Sequence, residues 1–393
     1  MLLSTFIRII LLSTFLISSQ LSAEDIQING FLAQGIIQTQ DANFVNDDGD
    51  VSFKLTELGI NSSYRISPNF RLAGQAVYLD GGNRYQKGLR VDYLFLDWQL
   101  YNSPTWQLKA QVGRNKNYHW LYSSTRDVPH TRPTIVLPQS IYFDVFRDVA
   151  IGVDGMALLA QIYNNLGEWD VNLSLGNSPI SEEQTKNLLG KNASGKLTHD
   201  TDIQFSIYWR PSLSNIQLSV TLLDADFSYQ AGQNDVFLNG NETSQRFMFS
   251  FLYQSENYEI ALEMMRERMM VNNLVFQGFK SDIAAEGGFL QGKYFLSPNI
   301  TLLSRIDIYD RDRKNRDGYN VATLSQGVVP NYFGFMDQGT LGLTWQLTKN
   351  IKIQAEYHKT KGTGRLAPIF TPDILKNDSK YWDLWAVQLM YWF

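Results

Sequence analysis

The sequence predicts an all-β protein, a transmembrane antiparallel β-barrel of sixteen strands with short turns at one end and long loops at the other. Three observations support this prediction. The chain closes on an amphipathic strand, Trp385–Phe393, whose last residue is aromatic. It opens with the pattern of an export signal. Between the two, segments of alternating polar and apolar residues are joined by connections that are alternately short and long, as in barrels of the bacterial outer membrane.

The N-terminal segment has the layout of a secretory signal peptide. Arg8 precedes an apolar stretch from Ile9 to Ile17, and Leu21-Ser-Ala23 follows it. We therefore expect residues 1–23 to be cleaved and residues 24–393 to form one barrel domain. An N-terminal membrane anchor is the alternative, but the apolar stretch is shorter than the ~20 residues of a spanning helix. The chain contains no cysteine, so no disulfide is expected.

The last strand is suited to close a barrel wall. Val387, Leu389, Tyr391 and Phe393 fall on one face of an extended segment, because successive side chains of a strand point to opposite faces. That apolar face fits contact with lipid. The strand predicts insertion into the outer membrane.

The number of strands follows from the connections. Seven short turns contain turn-forming residues and have aromatic residues close by, among them Tyr208 and Trp209, as an aromatic girdle at the membrane interface would produce. The turns are 67–69, 102–105, 164–167, 211–214, 255–257, 297–299 and 348–350. Eight longer polar connections lie near 38–51, 81–88, 115–148, 177–200, 227–243, 271–281, 311–337 and 361–380. Fifteen connections require sixteen strands, and every proline lies outside them, as expected for residues that cannot donate to a sheet.

Charged residues occupy one face of the predicted strands. In the strand that begins at Trp106, Lys109 alternates with apolar neighbours, and in the strand from Tyr258 to Glu267 the glutamates do. The charged face cannot face lipid, where Lys or Arg costs ~2–4 kcal/mol at mid-bilayer. It must line the interior, and charges on many strands predict a wide, wet lumen. A soluble β-sandwich, the alternative fold, explains neither the terminal Phe393 nor the aromatic bands.

These features together resemble the outer-membrane porins of Gram-negative bacteria. The resemblance covers the mature chain and includes the early strand Gly30–Gly35, the segment Leu55–Ile60 that opens the second strand, and the terminal Phe393. It implies passive diffusion of small hydrophilic solutes, a homotrimer, and a third loop that folds into the barrel and narrows it. Glu57 stands where the commoner porin pattern has a basic residue, so the subfamily is left open.

The third long connection, residues 115–148, is the longest and is the candidate constriction loop. Acids and bases that face each other across a pore create a transverse field that selects solutes by charge. Packing of an external loop is the alternative use of these residues. The candidate constriction residues are Arg126, Asp127, His130, Arg132, Asp144, Arg147 and Asp148, and the candidate wall residues are Lys109, Arg114, Glu259, Glu263, Arg305, Asp307, Lys352 and Glu356.

The sequence therefore predicts an outer-membrane porin that forms a water-filled channel for small hydrophilic solutes or ions. The alternatives are a channel specific for a sugar or an anion, and a barrel plugged by its loops that acts as a surface receptor or adhesin. The four histidines show no catalytic or metal-ligand spacing, so we expect no enzyme activity, metal or other cofactor. Expected partners are membrane lipid, and lipopolysaccharide at the charged segment Arg311–Asp317; the net charge of −5 argues against nucleic acid.

Overall fold

The chain folds into a closed β-barrel. The structure, a computed structural model, describes residues 26–150 and 152–393; the predicted signal peptide, residues 1–23, lies outside them. Over the described residues, sixteen strands pair antiparallel in chain order and β16 returns to β1. They are β1 (Ile26–Gln40), β2 (Thr56–Ser67), β3 (Phe70–Asp80), β4 (Gly88–Asn102), β5 (Trp106–Lys116), β6 (Gly152–Asn164), β7 (Gly167–Asn177), β8 (Lys196–Pro211), β9 (Ile216–Gln230), β10 (Gly240–Gln254), β11 (Tyr258–Asn272), β12 (Lys280–Ser297), β13 (Ile300–Asp310), β14 (Phe335–Thr348), β15 (Ile351–Lys361) and β16 (Tyr381–Trp392).

The two ends of the barrel differ as predicted. All seven predicted short turns join consecutive strands at one end, which we call the short-turn end. The eight longer connections lie at the other, the long-loop end. One detail is wrong: Pro211 is the last residue of β8 and not part of the turn. A strand terminus tolerates proline because its missing N–H is not needed for further pairing.

The outer face of the wall is apolar. Met264, Ile306 and Leu341 are more than half exposed, whereas Glu263 and Asp307, on the opposite face of β11 and β13, are fully buried. Closing the sheet pairs the backbone groups of every strand, which is the condition for crossing a bilayer without helices. The predicted transmembrane barrel, with its charged inner face, is confirmed.

Aromatic rings flank the short turns on the outer surface. Trp169 stacks on Trp209 with ring centroids 5.1 Å apart, and Tyr253 lies 5.6 Å from Tyr258 across their turn. Such a girdle suits the membrane interface, where one edge of each ring meets water. Tyr208, predicted to lie beside Trp209 in this girdle, instead points into the lumen and is only 8% exposed, because neighbouring residues of a strand face opposite sides.

The barrel is closed by the first and last strands. Ten residue pairs join β1 to β16, from Phe31 opposite Trp392 to Gln40 opposite Asp383. The backbones of Gly30 and Phe393 exchange two hydrogen bonds, of 3.1 and 3.0 Å. A Cβ at Gly30 would lie 2.6 Å from the Phe393 ring, so a larger residue there would displace that ring. Leu389 and Phe393 lie on the outer face, as the sequence predicts.

Three short helices lie within the long loops: α1 (Arg147–Ala150), α2 (Glu182–Leu189) and α3 (Tyr319–Leu324). A capping box between Ser181 and Gln184 begins α2. At its other end, the carbonyl of Leu188 accepts hydrogen bonds from the backbone of Ile369 and Phe370. Two long loops therefore join across the long-loop end.

No helix in the described ranges is long and apolar enough to span a membrane.

The third long loop occupies part of the barrel interior. This loop, residues 117–150, packs apolar side chains against the wall on two sides, with Ile135 against β16 and Trp120 against β10 to β12. The space in the middle of the lumen is therefore set by the loop as well as by the wall. Strand alternation reports which residues face inward but not what fills the space between them.

Candidate functional site

The third long loop lies inside the barrel, where inward-facing wall residues hold it. On β11, the Glu263 carboxylate accepts hydrogen bonds from the backbone N–H of Leu121 at 2.9 Å and from the hydroxyl of Tyr142 at 2.5 Å. On β15, the Glu356 carboxylate accepts hydrogen bonds from the backbone N–H groups of Ile135 and Val136, both at 2.8 Å. Charge-assisted bonds of this kind are about twice as strong as neutral ones.

Basic wall residues bind the carbonyls of the same loop. Arg305 on β13 donates to the hydroxyl of Thr134 at 2.9 Å and to the carbonyl of Val136 at 3.2 Å. Lys352 on β15 donates to the carbonyl of His130 at 2.6 Å. The wall thus satisfies both the donors and the acceptors of a buried loop backbone, which would otherwise be costly to remove from water.

A network of ion pairs fixes the loop to the β2–β5 side. Glu57 on β2 binds Arg132 at 2.5 Å and lies 3.6 Å from Arg147. Arg147 also binds Asp127, with 2.7 Å from Nε to the carboxylate. Burial by itself raises the pKa of Asp127, but the charges of Arg147 and Lys116 outweigh it and hold the pKa well below its ordinary value. This carboxylate therefore stays ionised.

A second pair stiffens the loop internally. Arg126 donates to the carboxylate of Asp144 at 2.9 Å and to the carbonyl of Tyr142 at 2.6 Å. Asp144 lies 3.6 Å from Arg84 in the connection between β3 and β4. Buried pairs of this kind are strongly destabilising to break because one partner then stays charged without its counterion.

The candidate constriction residues thus come together, though not as opposed rows across an opening. Arg126, Asp127, Arg132, Asp144 and Arg147 are each at most 6% exposed and make direct ion pairs. None lines either of the two lumen cavities described below. Their geometry is that of braces that hold the loop in place.

Two candidates in this loop stand apart from the ion pairs. His130 stacks on Trp392, with ring centroids 4.5 Å apart and planes at 10°. Burial, together with Lys352 and Arg132, lowers the pKa of His130 to about 4, so the ring is neutral at pH 7. Asp148 belongs to α1, but its side chain is not among those the structure describes.

The remaining wall candidates divide into three groups. Glu259 pairs with Lys293 at 2.8 Å and Asp307 is buried beside Arg305, both on the inner face. Lys109 lines a cavity at the short-turn end. Arg114 was wrongly predicted to face the lumen: its inner-face neighbours on β5 are Gln111 and Asn115, and it pairs with Asp154 on the outer face at 3.3 Å.

Two cavities lie on either side of the loop. The upper cavity, at the long-loop end, has a volume of about 280 Å³ and is bounded by β8–β13. The lower cavity, at the short-turn end, has a volume of about 400 Å³ and includes Lys109 and Arg210. Trp120 of the third long loop lines both, so it separates the two spaces.

Trp120 is held by several contacts. It is 3% exposed, its indole N–H is directed at the sulfur of Met248, and Arg246 lies 5.5 Å over its ring. The hydroxyl of Tyr208 bonds the carbonyls of Tyr118 and Trp120 at 2.9 and 3.3 Å.

His119 packs against Trp120, with ring centroids 4.0 Å apart and planes tilted by 54°. Burial, and then the charges of Arg246 and Arg126, lower its pKa well below the ordinary value. The barrier between the cavities is therefore aromatic and uncharged at its centre.

Sequence reasoning missed the residues of this barrier and one anchor. Glu57 was noted only as a departure from a pattern, yet it binds two arginines of the loop. Its position next to Leu58 on an alternating strand was a signal that it faces inward. Tyr208 was predicted to belong to the girdle, and no local pattern distinguishes Trp120 from the other aromatic residues of the loop.

No group of three or more His, Asp or Glu side chains in the described part of the chain is arranged to hold a metal ion.

Solved structures with the same architecture include outer-membrane proteins. The anion-selective porin from Comamonas acidovorans is 10% identical, with a TM-score of 0.58 over 94% of this chain and 99% of that one. OmpF of Salmonella typhi, solved in complex with daunomycin, is 12% identical, with a TM-score of 0.57 over 94% and 97% of the two chains. Outer-membrane expressed OmpT of Vibrio cholerae is 12% identical, with a TM-score of 0.56 over 95% and 99%.

No protein-family model matches the chain, and no curated protein is significantly similar to it in sequence. At identities of 10–12% the solved structures establish the architecture alone. The likeness covers nearly the full length of both chains in each comparison, so the whole barrel is shared. The chain has the fold of the Gram-negative outer-membrane porins.

Proposed function

We propose that this protein is an outer-membrane channel for passive diffusion of small hydrophilic solutes, with a narrow route that passes Trp120. The observation that carries the proposal is the pair of lumen cavities that share Trp120, one open to each side of the third long loop. A plug built only to seal the barrel would have no need of solvent-sized space on both of its faces. The long loops face outside the cell in this proposal, and the short turns face the periplasm.

The ion-paired side of the loop supports a fixed aperture. Arg132, Arg147 and Asp127 hold the loop against β2 and leave the opposite side, near β8–β10, as the route. A constriction positioned by buried pairs keeps its width because breaking a pair leaves an uncompensated charge. The basic residues Lys109 and Arg210 line the lower cavity and favour anions there. Asp170 lines the same cavity and pairs with Arg210 at 2.7 Å.

A second candidate is a channel specific for one class of solute. The upper cavity favours it, because apolar and aromatic side chains form most of its lining. A general diffusion pore gains nothing from such a surface, whereas a binding site on a transport route does.

The proposal has further parts that concern catalysis, assembly and lipid. Enzyme activity is not proposed, since in the wall His358 is hydrogen-bonded to Glu356, a loop anchor, at 2.9 Å. A homotrimer is proposed from the fold likeness. Lipopolysaccharide binding is proposed at the rim, where Arg266, Arg313 and Arg316 surround Glu286.

The test is single-channel recording in planar bilayers with the refolded mature protein. Stable ohmic steps are expected, and Trp120→Ala should raise the step size because it joins the two cavities. The matched control is Trp98→Ala, which removes an indole that is 47% exposed on the outer wall and should leave conductance unchanged. A silent bilayer with verified barrel insertion would overturn the channel and favour a plugged surface receptor. Equal steps from wild type and Trp120→Ala would place the route elsewhere.

A further inference from the structure

The upper cavity is a partly open chamber with a mostly apolar lining. Trp120 and Phe143 of the third long loop form its floor, β8–β13 form its wall, and Phe370 of the loop before β16 lies at its upper edge. Its volume of about 280 Å³ suits a molecule the size of one aromatic ring with a short side chain. The chamber therefore has the size of a ligand site and not of a packing defect.

Aromatic faces dominate the lining. Phe146, Phe227 and Phe279 join Trp120, Phe143 and Phe370 around the chamber. Ring faces carry a negative quadrupole, so a surface of this kind attracts both an apolar body and an organic cation.

One buried carboxylate in the wall has unused bonding capacity. Asp202 on β8 is 3% exposed, and its Oδ2 accepts a hydrogen bond from Gln204 at 2.9 Å. Its Oδ1 has no hydrogen-bond partner among the residues the structure describes, and the Nε2 of His199 lies 3.7 Å from its Oδ2. A buried carboxyl group without a partner for one oxygen is costly, and a donor there would compensate it. Asp202 therefore leaves one acceptor oxygen available to a ligand in the chamber.

A second carboxylate lies on the same wall. Ala225 pairs with both Asp202 and Ser244, so Asp202 lies two strands from Ser244. Glu242 is the next inward-facing position on that strand and also lines the chamber. Strand spacing then separates the two carboxylates by roughly 12 Å.

The three arginines of the chamber are already engaged. Arg246 pairs with Glu267 at 2.5 Å. Arg365 donates to the carbonyl of Ser140 at 3.0 Å and lies 3.6 Å over the ring of Tyr309. Arg311 donates to the carbonyl of Ile369 at 3.1 Å. Nε of Arg246 and Nε of Arg365 still have no acceptor among the described residues, so the chamber offers unpaired donors as well as the unpaired oxygen of Asp202.

We propose that the upper cavity binds small amphipathic amines, with the ammonium group at the Asp202 carboxylate and the apolar body against the aromatic lining. This inference deepens the proposed function, since the chamber would be a solute-binding site at the outer end of the route. An ammonium group supplies the donors that Asp202 lacks, and ring faces next to it add cation–π attraction. A neutral or anionic analogue of the same shape would fill the chamber and leave Asp202 without a partner.

The test uses 2-phenylethylamine as the probe, with 2-phenylethanol and 3-phenylpropionate as matched neutral and anionic compounds. Isothermal titration of the full mature barrel in detergent should show saturable binding of the amine. Binding of the alcohol should be about tenfold weaker or more, since it leaves a buried acceptor unpaired. Stronger binding of 3-phenylpropionate than of the amine would overturn the proposal and assign the chamber to its arginines.

Two variants locate the site. Asp202→Asn should weaken amine binding about tenfold or more, because the charge-assisted bond is lost. Asp226→Asn is the control: it lies on β9 between the inward-facing Ala225 and Phe227, hence on the outer face, and should bind the amine like wild type. Heat-modified gel mobility verifies that each barrel is folded. Equal affinity in wild type and folded Asp202→Asn would overturn the site.

The binding assay and the channel assay test the two proposals independently. Titration in detergent needs no conduction, so ohmic steps without amine binding would refute this inference and leave the channel intact. Amine binding with a silent bilayer would refute the channel and leave the site. In a conducting barrel, 2-phenylethylamine added at the long-loop side should reduce the current of wild type more than that of Asp202→Asn.

Discussion

Removing the Glu263 carboxylate should release the part of the third long loop that carries Trp120. Glu263→Ala leaves two buried loop donors without their acceptor, the N–H of Leu121 and the hydroxyl of Tyr142. Each unsatisfied donor costs about 1–3 kcal/mol, and removal of the buried carboxylate offsets part of that. We therefore expect the local docking free energy to fall by roughly 2–4 kcal/mol, which is roughly a 30- to 700-fold change in the docking equilibrium.

The assay is single-channel recording of Glu263→Ala beside two matched variants. Tyr142→Phe removes one of the two loop bonds to Glu263, together with the acceptor of the Tyr122 N–H at 3.0 Å, and should give an intermediate effect. Ser250→Ala removes a wall hydroxyl that bonds the same carboxylate at 2.9 Å but frees no loop residue. We expect current noise and mean conductance to increase from Ser250→Ala through Tyr142→Phe to Glu263→Ala.

The order of the three variants tests the reasoning more strictly than any single value. The anchors at Glu57 and Glu356 remain in all three, so the barrel and most of the loop should stay folded. Equal noise in Glu263→Ala and Ser250→Ala would refute the idea that this carboxylate holds the loop over the route. Loss of heat-resistant barrel mobility in Glu263→Ala would show that its role is in wall stability instead.

Two further predictions concern pH and ion selectivity. In the docked loop the pKa of His130 is lowered from 6.5 to about 4. As pH falls, the undocked loop therefore takes up a proton on His130 before the docked loop does. Docking should be strongest above pH 6.5 and should weaken as pH falls towards about 4. Current noise should rise over that pH range in wild type but not in His130→Phe, a control that keeps a ring against Trp392. An identical rise in both proteins would contradict the role of His130 in this pH dependence. Lys109→Gln should shift the reversal potential in a salt gradient in the direction of greater cation selectivity. Arg114→Gln, on the outer face, should leave the reversal potential unchanged. Equal shifts in the two variants would mean that both charges act on the ions in the channel.

The wall of the barrel was predictable because its signals are local. Each short turn carries its own turn-forming residues, and alternation along a strand depends on the strand alone. The outward positions of Leu389 and Phe393 followed from this two-residue alternation, and so did the inward positions of Glu263 and Lys352. The error at Arg114 came from not applying the same alternation, since Lys109 and Gln111 already place it on the other face.

The lumen could not be read in the same way, because its contacts join residues far apart in the chain. Glu356 binds backbone groups of Ile135 and Val136, and Arg132 binds Glu57. Nothing in the residues around Glu356 shows whether an inward carboxylate meets water or a loop. The candidate charges were therefore identified as a set, but their pairing with one another was not.

The sequence by itself determined that this chain is a transmembrane barrel, how many strands it has, where they turn and which residues face lipid, because strand period and turn chemistry are properties of short segments. Only the tertiary structure decided that the third long loop occupies part of the barrel interior, that its charges pair as braces, and that Trp120 and Asp202 border a chamber. Those features depend on which distant groups satisfy a buried backbone or carboxylate, and that choice exists only once the barrel has closed.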